Sequence, residues 1–334
     1  MEFNEKYYEE TIRKYNYNPL DFAPMDFTFS GIPKNTMRLK WLCHSGLNNI
    51  FDFDSTIVTT GVGLSGIPHM GTLSQILRSI FLQKQGVNVQ LVLGDLDSYN
   101  ARNKPLEFVL DLSKKYTEFI QELGFNKTKG VLRNQNENCE INRLAYLLSK
   151  YVSDQDFLDT EEDLSELYIN EKVYEGITFP VKQAILLMIA DFIALDKMEH
   201  YKNIIVMLGL EEHKYILLAR KILERMGSDA NLCSMYSRII KGLRGYPKMS
   251  KSIPASSIRV DMSSNEIRNQ IIYEDDLFDI PENSVVFQMM CSLSTYSAEE
   301  IDEIYNHCVG KDAIWHEYKR DFAERLVKIC EKWK

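Results

Sequence analysis

The chain has 334 residues, of which 45% are hydrophobic and 26% are charged, as in ordinary folded domains. This length is enough for one large hydrophobic core or two moderate ones. No apolar run reaches the roughly 18 residues that a membrane-spanning helix requires. The six cysteines are scattered and form no C-x-x-C pair. These features exclude a membrane partner, a disulfide scaffold and a zinc ribbon, and they predict reduced thiols in a cytoplasmic protein.

The formal net charge is −9, from 39 basic and 48 acidic residues, but the charges are unevenly distributed. From Lys214 to Arg259 there are ten basic residues against two acidic ones, whereas residues 154–175 include nine acidic residues and one lysine. Binding of a polyanion depends on the local field, because salt screens charges beyond about 10 Å. The basic segment therefore favours phosphate binding, and two solvated helix faces are the alternative interpretation.

The hydrophobic pattern predicts alternating strands and helices after an irregular or helical N-terminal extension, residues 1–45. In chain order, the predicted elements are a strand at 56–60, a helix ending at Gly86, a strand at 87–93, a helix at 105–123, a helix at 179–197, a strand at 203–208 and a helix at 215–226. Strand–helix–strand units of this kind build parallel sheets. The acidic 136–176 segment is predicted to be an inserted helical connection. Capping-box patterns at Ser263 and Ser297 predict a helical domain over residues 260–334.

The first predicted strand leads into a glycine-rich segment that runs from Gly61 to Thr72. Ligands of doubly wound sheets bind outside the carboxyl ends of the strands, where backbone N–H groups and a helix N-terminus face a phosphate. Gly61, Gly63 and Gly71 would let a nucleotide approach the backbone, and His69 would donate to a phosphate oxygen. The alternative interpretation is a turn that precedes a helix and carries an incidental histidine.

A second segment, Lys248-Met249-Ser250-Lys251-Ser252, lies about 180 residues later. Displacement of pyrophosphate needs cationic donors that meet the phosphate oxygens more closely in the transition state than in the ground state. Lys248 and Lys251 would supply this charge. Ser250 and Ser252 would add hydroxyl donors on a loop that closes when ATP arrives.

Together the two segments resemble the signatures of class I aminoacyl-tRNA synthetases. Residues 69–72, HMGT, resemble the "HIGH" signature, and residues 248–252 reproduce the "KMSKS" signature. Residues 209–212, GLEE, resemble the G-x-D-Q segment in which a glycine and a carboxylate hold the adenylate ribose.

Two further segments point to one branch of this family. Residues 253–258, IPASSI, resemble the D-P-N-S-S-I tail of the tryptophanyl and tyrosyl branch. Residues 179–184, FPVKQA, are similar to the F-P-x-x-Q-A segment of eukaryotic and archaeal tryptophanyl-tRNA synthetases. The resemblance covers about residues 36–275.

The resemblance implies an α/β fold, a Rossmann-type doubly wound parallel sheet with a helical insertion and a small C-terminal helical domain. The catalytic domain would span residues 46–259, with the insertion at 136–176, and residues 260–334 would face the tRNA anticodon side. The implied reaction activates an amino acid with ATP and Mg²⁺, releases pyrophosphate and transfers the acyl group to tRNA. The resemblance implies no structural metal, and it implies a homodimer.

The resemblance also assigns roles to residues. The catalytic residues would be His69, Lys248 and Lys251. The ATP-binding residues would be Gly61, Gly63, Gly71, Thr72, Gly209, Glu211, Met249, Ser250 and Ser252. The amino-acid-binding residues would be Thr59, Asp95, Asp97, Gln183 and Glu212. Asp95 and Asp97 follow a predicted strand, where a carboxylate could bind the substrate ammonium.

Several positions depart from the family pattern. Thr72 replaces the second histidine of the HIGH signature, and Glu211 replaces an aspartate. Thr59 and Thr60 stand where the tryptophanyl branch has a pocket tyrosine, and the glutamine that this branch has at about the position of Leu93, near the end of the strand, is absent. Buried polar partners control amino-acid discrimination, so these changes indicate an altered pocket. The resemblance to the tryptophanyl and tyrosyl branch favours tryptophan as the amino acid. The alternatives are a related enzyme that activates a non-standard amino acid for biosynthesis and a catalytically silent regulator that binds RNA or ATP.

Overall fold

The computed structural model describes residues 3–20, 29, 31–50, 52–161, 169–170, 176–273 and 278–333. The strands of these parts form one sheet and are β1 (Asn18–Pro19), β2 (Cys43–Ser45), β3 (Thr56–Gly63), β4 (Asn88–Gly94), β5 (Gly130–Asn134), β6 (Asn203–Gly209) and β7 (Asn231–Ser237). The helices are α1 (Glu5–Lys14), α2 (Lys34–Lys40), α3 (Met70–Lys84), α4 (Asp95–Ala101), α5 (Leu106–Glu122), α6 (Cys139–Leu148), α7 (Asp154–Leu158), α8 (Phe179–Lys197), α9 (His213–Met226), α10 (Ser264–Tyr273), α11 (Val285–Leu293), α12 (Ala298–Gly310) and α13 (Ala313–Cys330).

The sheet has the order β1-β2-β7-β6-β3-β4-β5. Strands β7, β6, β3, β4 and β5 are parallel, whereas β2 and β1 add an antiparallel edge. The chain runs outward from β3 through β4 and β5, then returns to the other side of β3 with β6 and β7. The strand order therefore reverses between β3 and β6, and ligands of such sheets bind at the carboxyl ends beside this reversal. The doubly wound sheet predicted from the sequence is confirmed.

Both faces of the sheet are covered by helices, as side chains along β6 demonstrate. Ile204, Val206 and Leu208 belong to the apolar cluster that includes α8 and α9. Ile205 and Met207 belong to the cluster that includes α3 and α5. Because successive strand residues point to opposite faces, an uninterrupted apolar strand requires a core on each side.

Several helices end at or close to the glycines that the sequence predicted as helix ends. Gly227 comes directly after α9, Gly86 and Gly124 lie two residues after the ends of α3 and α5, and the φ angles of Gly86, Gly124 and Gly227 are 84°, 107° and 63°. Glycine adopts this left-handed conformation without a Cβ clash, so it ends a helix efficiently. The predicted helix at 179–197 has the same bounds as α8.

The sheet contains more strand structure than the hydrophobic pattern predicts. Strand β3 continues to Gly63, because Gly61 and Gly63 pair in register with Val92 and Gly94 of β4, so these two glycines lie in a strand and not in a loop. Strand β5 is only partly buried and β7 is rich in polar residues, so neither shows a strand pattern in the sequence. The N-terminal extension adds β1 and β2, although it was predicted to be irregular or helical.

The acidic connection and the basic segment contact each other. Arg225 on α9 makes two hydrogen bonds of 2.6 and 3.1 Å to the Asp156 carboxylate. This guanidinium holds the pKa of Asp156 well below its usual range. Lys221 also pairs with Asp156, and Lys214 donates to the backbone of Glu161 at 2.8 Å. Part of the positive charge of the basic segment, on Arg225 and Lys221, is thus paired with a carboxylate within the fold. Residues 162–168 and 171–175 of the predicted insertion lie outside the described residues.

The C-terminal helices α10–α13 pack against helix α3 and the lysine-bearing segment. Their apolar cluster includes Met70 and Leu73 of α3 and also Met249. Near the C-terminus, the Trp333 ring stacks edge-on against Tyr116 and Phe119 of α5, with centroid distances of 5.3 and 5.2 Å. Across the described ranges, no helix combines the length and the apolar character that crossing a membrane requires.

Candidate active site

A cleft of about 320 Å³ opens at the carboxyl ends of β3, β4 and β6. Most of the residues that the sequence assigned to the site line this cleft. They are Gly61, Gly63, His69, Gly71, Thr72, Asp97, Gly209, Glu211, Glu212, Lys248, Met249, Ser250, Lys251 and Ser252. Segments separated by about 180 residues in the sequence therefore share one cavity beside the reversal of strand order.

Backbone hydrogen bonds join the two signature segments. Val260 N–H donates to Pro68 O at 3.0 Å, and Met70 N–H donates to Ile258 O at 3.1 Å. The Lys251 ammonium donates to the carbonyl oxygen of Gly63, at the end of β3. A lysine is thereby held over the glycine-rich strand end where a phosphate would approach.

Serine side chains hold the backbone of the lysine loop. The Ser250 N–H donates to the hydroxyl oxygens of Ser256 and Ser257, each at 2.9 Å. The Ser257 hydroxyl donates in turn to Ser250 O at 3.2 Å. Met249 is 3% exposed and packs in the C-terminal apolar cluster. The loop is therefore fixed at its centre, while both lysines remain in the cleft.

His69 is the N-cap of α3, and its ring has a defined hydrogen-bonding role. Its Nδ1 accepts from the N–H groups of Gly71 and Thr72 at 3.0 and 3.4 Å. Burial, reinforced by the charges of Lys251 and Lys248, lowers the pKa of His69 well below its ordinary value. A neutral ring that accepts at Nδ1 carries its proton on Nε2, so His69 can donate from that atom.

Gly71 gives the His69 ring its space. A Cβ at position 71 would lie 2.8 Å from Cε1 and 3.0 Å from Nδ1 of His69. Residue 71 therefore has to be glycine if the imidazole is to cap α3 in this orientation.

The two lysines occupy different electrostatic environments. Lys248 lies 3.5 Å from the Glu211 carboxylate, within the segment that resembles the ribose-binding motif. Burial lowers the pKa of Lys251 to about 7, an effect that the nearby Asp97 carboxylate opposes. Lys251 is consequently partly neutral near pH 7 and would gain its full charge beside a phosphate.

The opposite end of the cleft contains a buried polar network. The amide oxygen of Gln135 accepts from Asp97 N–H at 3.0 Å, and its Nε2 donates to Asp191 Oδ2 at 2.9 Å. Gln90 Nε2 donates to Asp191 O at 3.2 Å and to Thr59 Oγ1 at 2.9 Å. Gln135, which directly follows β5, thus links α4 to α8, and Gln90 of β4 links α8 to β3.

Three predicted amino-acid-binding residues do not line the cleft. Thr59 is buried in β3 with its hydroxyl bonded to Gln90. Asp95 is buried, and its Oδ1 accepts from Leu96 N–H at 2.8 Å and from Asn136 N–H at 3.0 Å. Gln183 is only partly buried on α8. From that helix the cleft is lined instead by Val181, Ala184, Ile185, Met188, Asp191 and Phe192.

The sequence reasoning missed Gln135 and Asp191. Asp191 interrupts the apolar run from Ala184 to Leu195, where a charged residue is exceptional unless it has a role. That anomaly is a usable signal. Gln135 had no comparable signal, because the strand that positions it was not predicted.

The fold is a doubly wound α/β sheet with a cleft between a glycine-rich strand end and a lysine loop. Residues 54–331 match the family described as tRNA synthetases class I (W and Y). The chain belongs to this family and is a class I aminoacyl-tRNA synthetase.

Individual relatives agree with this assignment. The chain is 25% identical to the tryptophan–tRNA ligase of Methanocaldococcus jannaschii over 297 residues, which cover 83% of this chain and 77% of the relative. It is 24% identical to the tyrosine–tRNA ligase of the same organism, over 91% of this chain and 97% of the relative. The crystal structure of tryptophanyl-tRNA synthetase from Aeropyrum pernix K1 has the same fold, with a TM-score of 0.80, 22% identity and coverage of 98% and 92% of the two chains.

Proposed function

We propose that this protein activates an amino acid with ATP as an aminoacyl-adenylate and then transfers the acyl group to the 3′-terminal ribose of a tRNA. One observation carries this proposal. Lys251 donates a hydrogen bond to the Gly63 carbonyl, in a cleft that His69 and Lys248 also line. Family membership supports the overall reaction, and the residue roles are our proposal.

In the first step, the amino-acid carboxylate oxygen attacks the α-phosphorus, the bond to the bridging oxygen breaks, and pyrophosphate leaves with that electron pair. Lys251 and Lys248 would bind the leaving phosphates, and the Nε2–H of His69 would donate to an oxygen on which charge develops. Mg²⁺ would arrive with ATP and be held mainly by phosphate oxygens and water. Within the described part of the chain, no group of three His, Cys, Asp or Glu is placed to bind a metal.

The nucleotide would lie along the glycine-rich end of β3. Gly63 lies beside the Asp97 carboxylate, and a Cβ at position 63 would be 3.4 Å from Asp97 Oδ2, in ordinary contact. Glu211 would contact the ribose, and Lys248, now 3.5 Å from that carboxylate, would turn to the phosphates when ATP binds. In the second step, a ribose hydroxyl of the tRNA attacks the acyl carbonyl and AMP leaves.

The test is ATP–pyrophosphate exchange with the twenty standard amino acids and a set of analogues. We expect exchange with at least one amino acid and a loss of about 100-fold on Lys251→Ala, because one cationic contact to the transition state is removed. Lys114→Ala is the control, since Lys114 is 75% exposed on α5 and lies outside the cleft. Binding of ATP without exchange for any amino acid would refute the proposal and favour a catalytically silent protein.

A further inference from the structure

The nucleotide end of the cleft is the end lined by residues of the segments 61–72 and 248–252, and a buried arginine lines it as well. This residue, Arg78, lies on α3, the helix that His69 caps, and is 4% exposed. It has no role in the proposed reaction as described so far. A permanently charged side chain is rarely buried to this extent unless an opposite charge or a ligand accompanies it. Arg78 therefore needs a partner at this end of the cleft.

The hydrogen bonds of Arg78 leave part of its guanidinium unused. Its Nη1 donates to the carbonyl oxygen of Lys40 at 3.3 Å, and its Nη2 donates to Ser74 Oγ at 3.1 Å. Both acceptors are neutral. Among the residues that the structure describes, the buried Nε of Arg78 has no hydrogen-bond partner. These contacts fix the guanidinium in place, but they do not compensate its charge, and they leave one donor available.

Glu211 is the carboxylate whose charge acts on Arg78. Burial lowers the pKa of Arg78 to about 10, and the negative charge of Glu211 opposes this shift. Lys40 does not balance the charge, since burial and the neighbouring Arg78 together lower the pKa of its ammonium to about 8. Arg78 and Glu211 both line the cleft, so the two charges belong to the same site.

In the free protein, Glu211 also has a second cation beside it. The Lys248 ammonium lies 3.5 Å from Glu211 Oε1. Glu211 is 7% exposed, so its carboxylate depends on nearby positive charge to stay ionised. In the proposed reaction, Lys248 turns to the phosphates when ATP binds. Arg78 is then a buried cation that continues to act on Glu211.

We infer that Arg78 is a positioning residue that keeps Glu211 ionised after Lys248 has moved to the phosphates, so that Glu211 can accept hydrogen bonds from the ribose hydroxyls. The inference rests on the proposed function. An ionised carboxylate accepts at both oxygens and binds hydroxyl donors more strongly than a neutral group does. Arg78 acts through Glu211 and touches no substrate atom. The competing interpretation is a structural role, in which Arg78 only joins α3 to the end of α2 through the Lys40 carbonyl.

The first experiment measures how much the ribose hydroxyls contribute to nucleotide binding. Calorimetric titrations with ATP and with 2′,3′-dideoxy-ATP, both with Mg²⁺, compare two nucleotides that share the base and the triphosphate. We expect wild-type protein to bind ATP about tenfold more tightly, because the dideoxy compound cannot donate to a charged acceptor. In Arg78→Met this preference should fall to about twofold, since Glu211 loses the charge that keeps it ionised.

Two results of this experiment would overturn the inference. One is an unchanged preference for ATP in Arg78→Met, which would leave Arg78 with a structural role only. The other is equal binding of the two nucleotides by wild-type protein, because Glu211 would then not hold the ribose.

Arg220→Met is the matched control. Arg220 Nε donates to Leu232 O at 3.0 Å and its Nη2 donates to Ser45 Oγ at 3.1 Å, so this arginine also bonds to a carbonyl and a serine. It does not line the cleft. Its loss should leave the preference for ATP unchanged. A fall of equal size in both variants would come from a general loss of packing and would contradict the role of Arg78.

The second experiment does not depend on the folding of the Arg78 variant. Lys248→Met should weaken the binding of both nucleotides by a similar factor, about tenfold, because a contact to the phosphates is lost. It should nevertheless keep the preference for ATP, since Arg78 still stabilises the Glu211 carboxylate. Loss of the preference in Lys248→Met would mean that Lys248 itself holds Glu211 for the ribose, and this would overturn the inference.

Failure of the proposed function has a different signature. Wild-type protein that prefers ATP to the dideoxy compound, yet exchanges pyrophosphate with no amino acid, would refute the proposed activity. The comparison of Arg78→Met with Arg220→Met would then still test the positioning role. Wild-type protein that binds neither nucleotide would refute both.

Discussion

The two ends of the cleft differ in how their residues are distributed along the chain. The nucleotide end is built mainly from two short continuous segments, residues 61–72, which run from the end of β3 into α3, and the loop at residues 248–252. The network end, around the buried hydrogen bonds of Gln135 and Asp191, takes its residues from separate elements that are distant in the sequence. The first end can be recognised from local motifs, whereas the second is assembled only by the fold.

The largest expected effect concerns the nucleotide end. Gly71→Ala should lower pyrophosphate exchange about 100-fold, because the added Cβ would displace the His69 ring from a position 2.8 Å away and remove its donor from the phosphate. Initial exchange rates measure this effect.

The control for this substitution is Gly310→Ala, where a new Cβ has no atom closer than 3.9 Å. If Gly71→Ala kept full activity, the nucleotide end would not depend on the orientation of His69.

The nucleotide end should respond to pH, with a smaller effect than the glycine substitution. Burial lowers the pKa of Lys251 to about 7, so the free lysine loses its proton as the pH rises through 7. Affinity for ATP should fall about fivefold from pH 7 to pH 8, because binding requires the charged form. Titrations in buffers of different ionisation enthalpy should show proton uptake on ATP binding.

Lys251→Arg serves as the matched variant, since a guanidinium stays protonated throughout this range. It should bind ATP without that proton uptake. Equal uptake in both proteins would place the titrating group elsewhere.

Much of the nucleotide end could be predicted from the sequence alone. Lys248, Lys251 and His69 were identified from motif and spacing, and they do share one cleft. Helix α8 was also predicted with its observed bounds, because its apolar run is long and begins at Phe179-Pro180. These features depend on neighbours within a few residues.

Most of the network end could not be predicted from sequence patterns. Asp95 and Asp97 were assigned together, yet only Asp97 lines the cleft, because α4 begins at Asp95 and turns that side chain inward towards Asn136. The basic segment was interpreted as favouring phosphate binding, but Arg225 and Lys221 instead pair with Asp156. Such pairings depend on contacts about 70 residues apart in the sequence, which no local pattern reveals.

Met70 and Met249, one from each signature segment, pack in the same apolar cluster as α10–α13. The separation between histidine and lysine loop is therefore set partly by side chains that never touch a substrate. Because packed interiors transmit displacement instead of absorbing it, a shift of the C-terminal helices would move both signature segments. In the proposed reaction, a tRNA contact with those helices would therefore alter the positions of His69 and Lys251.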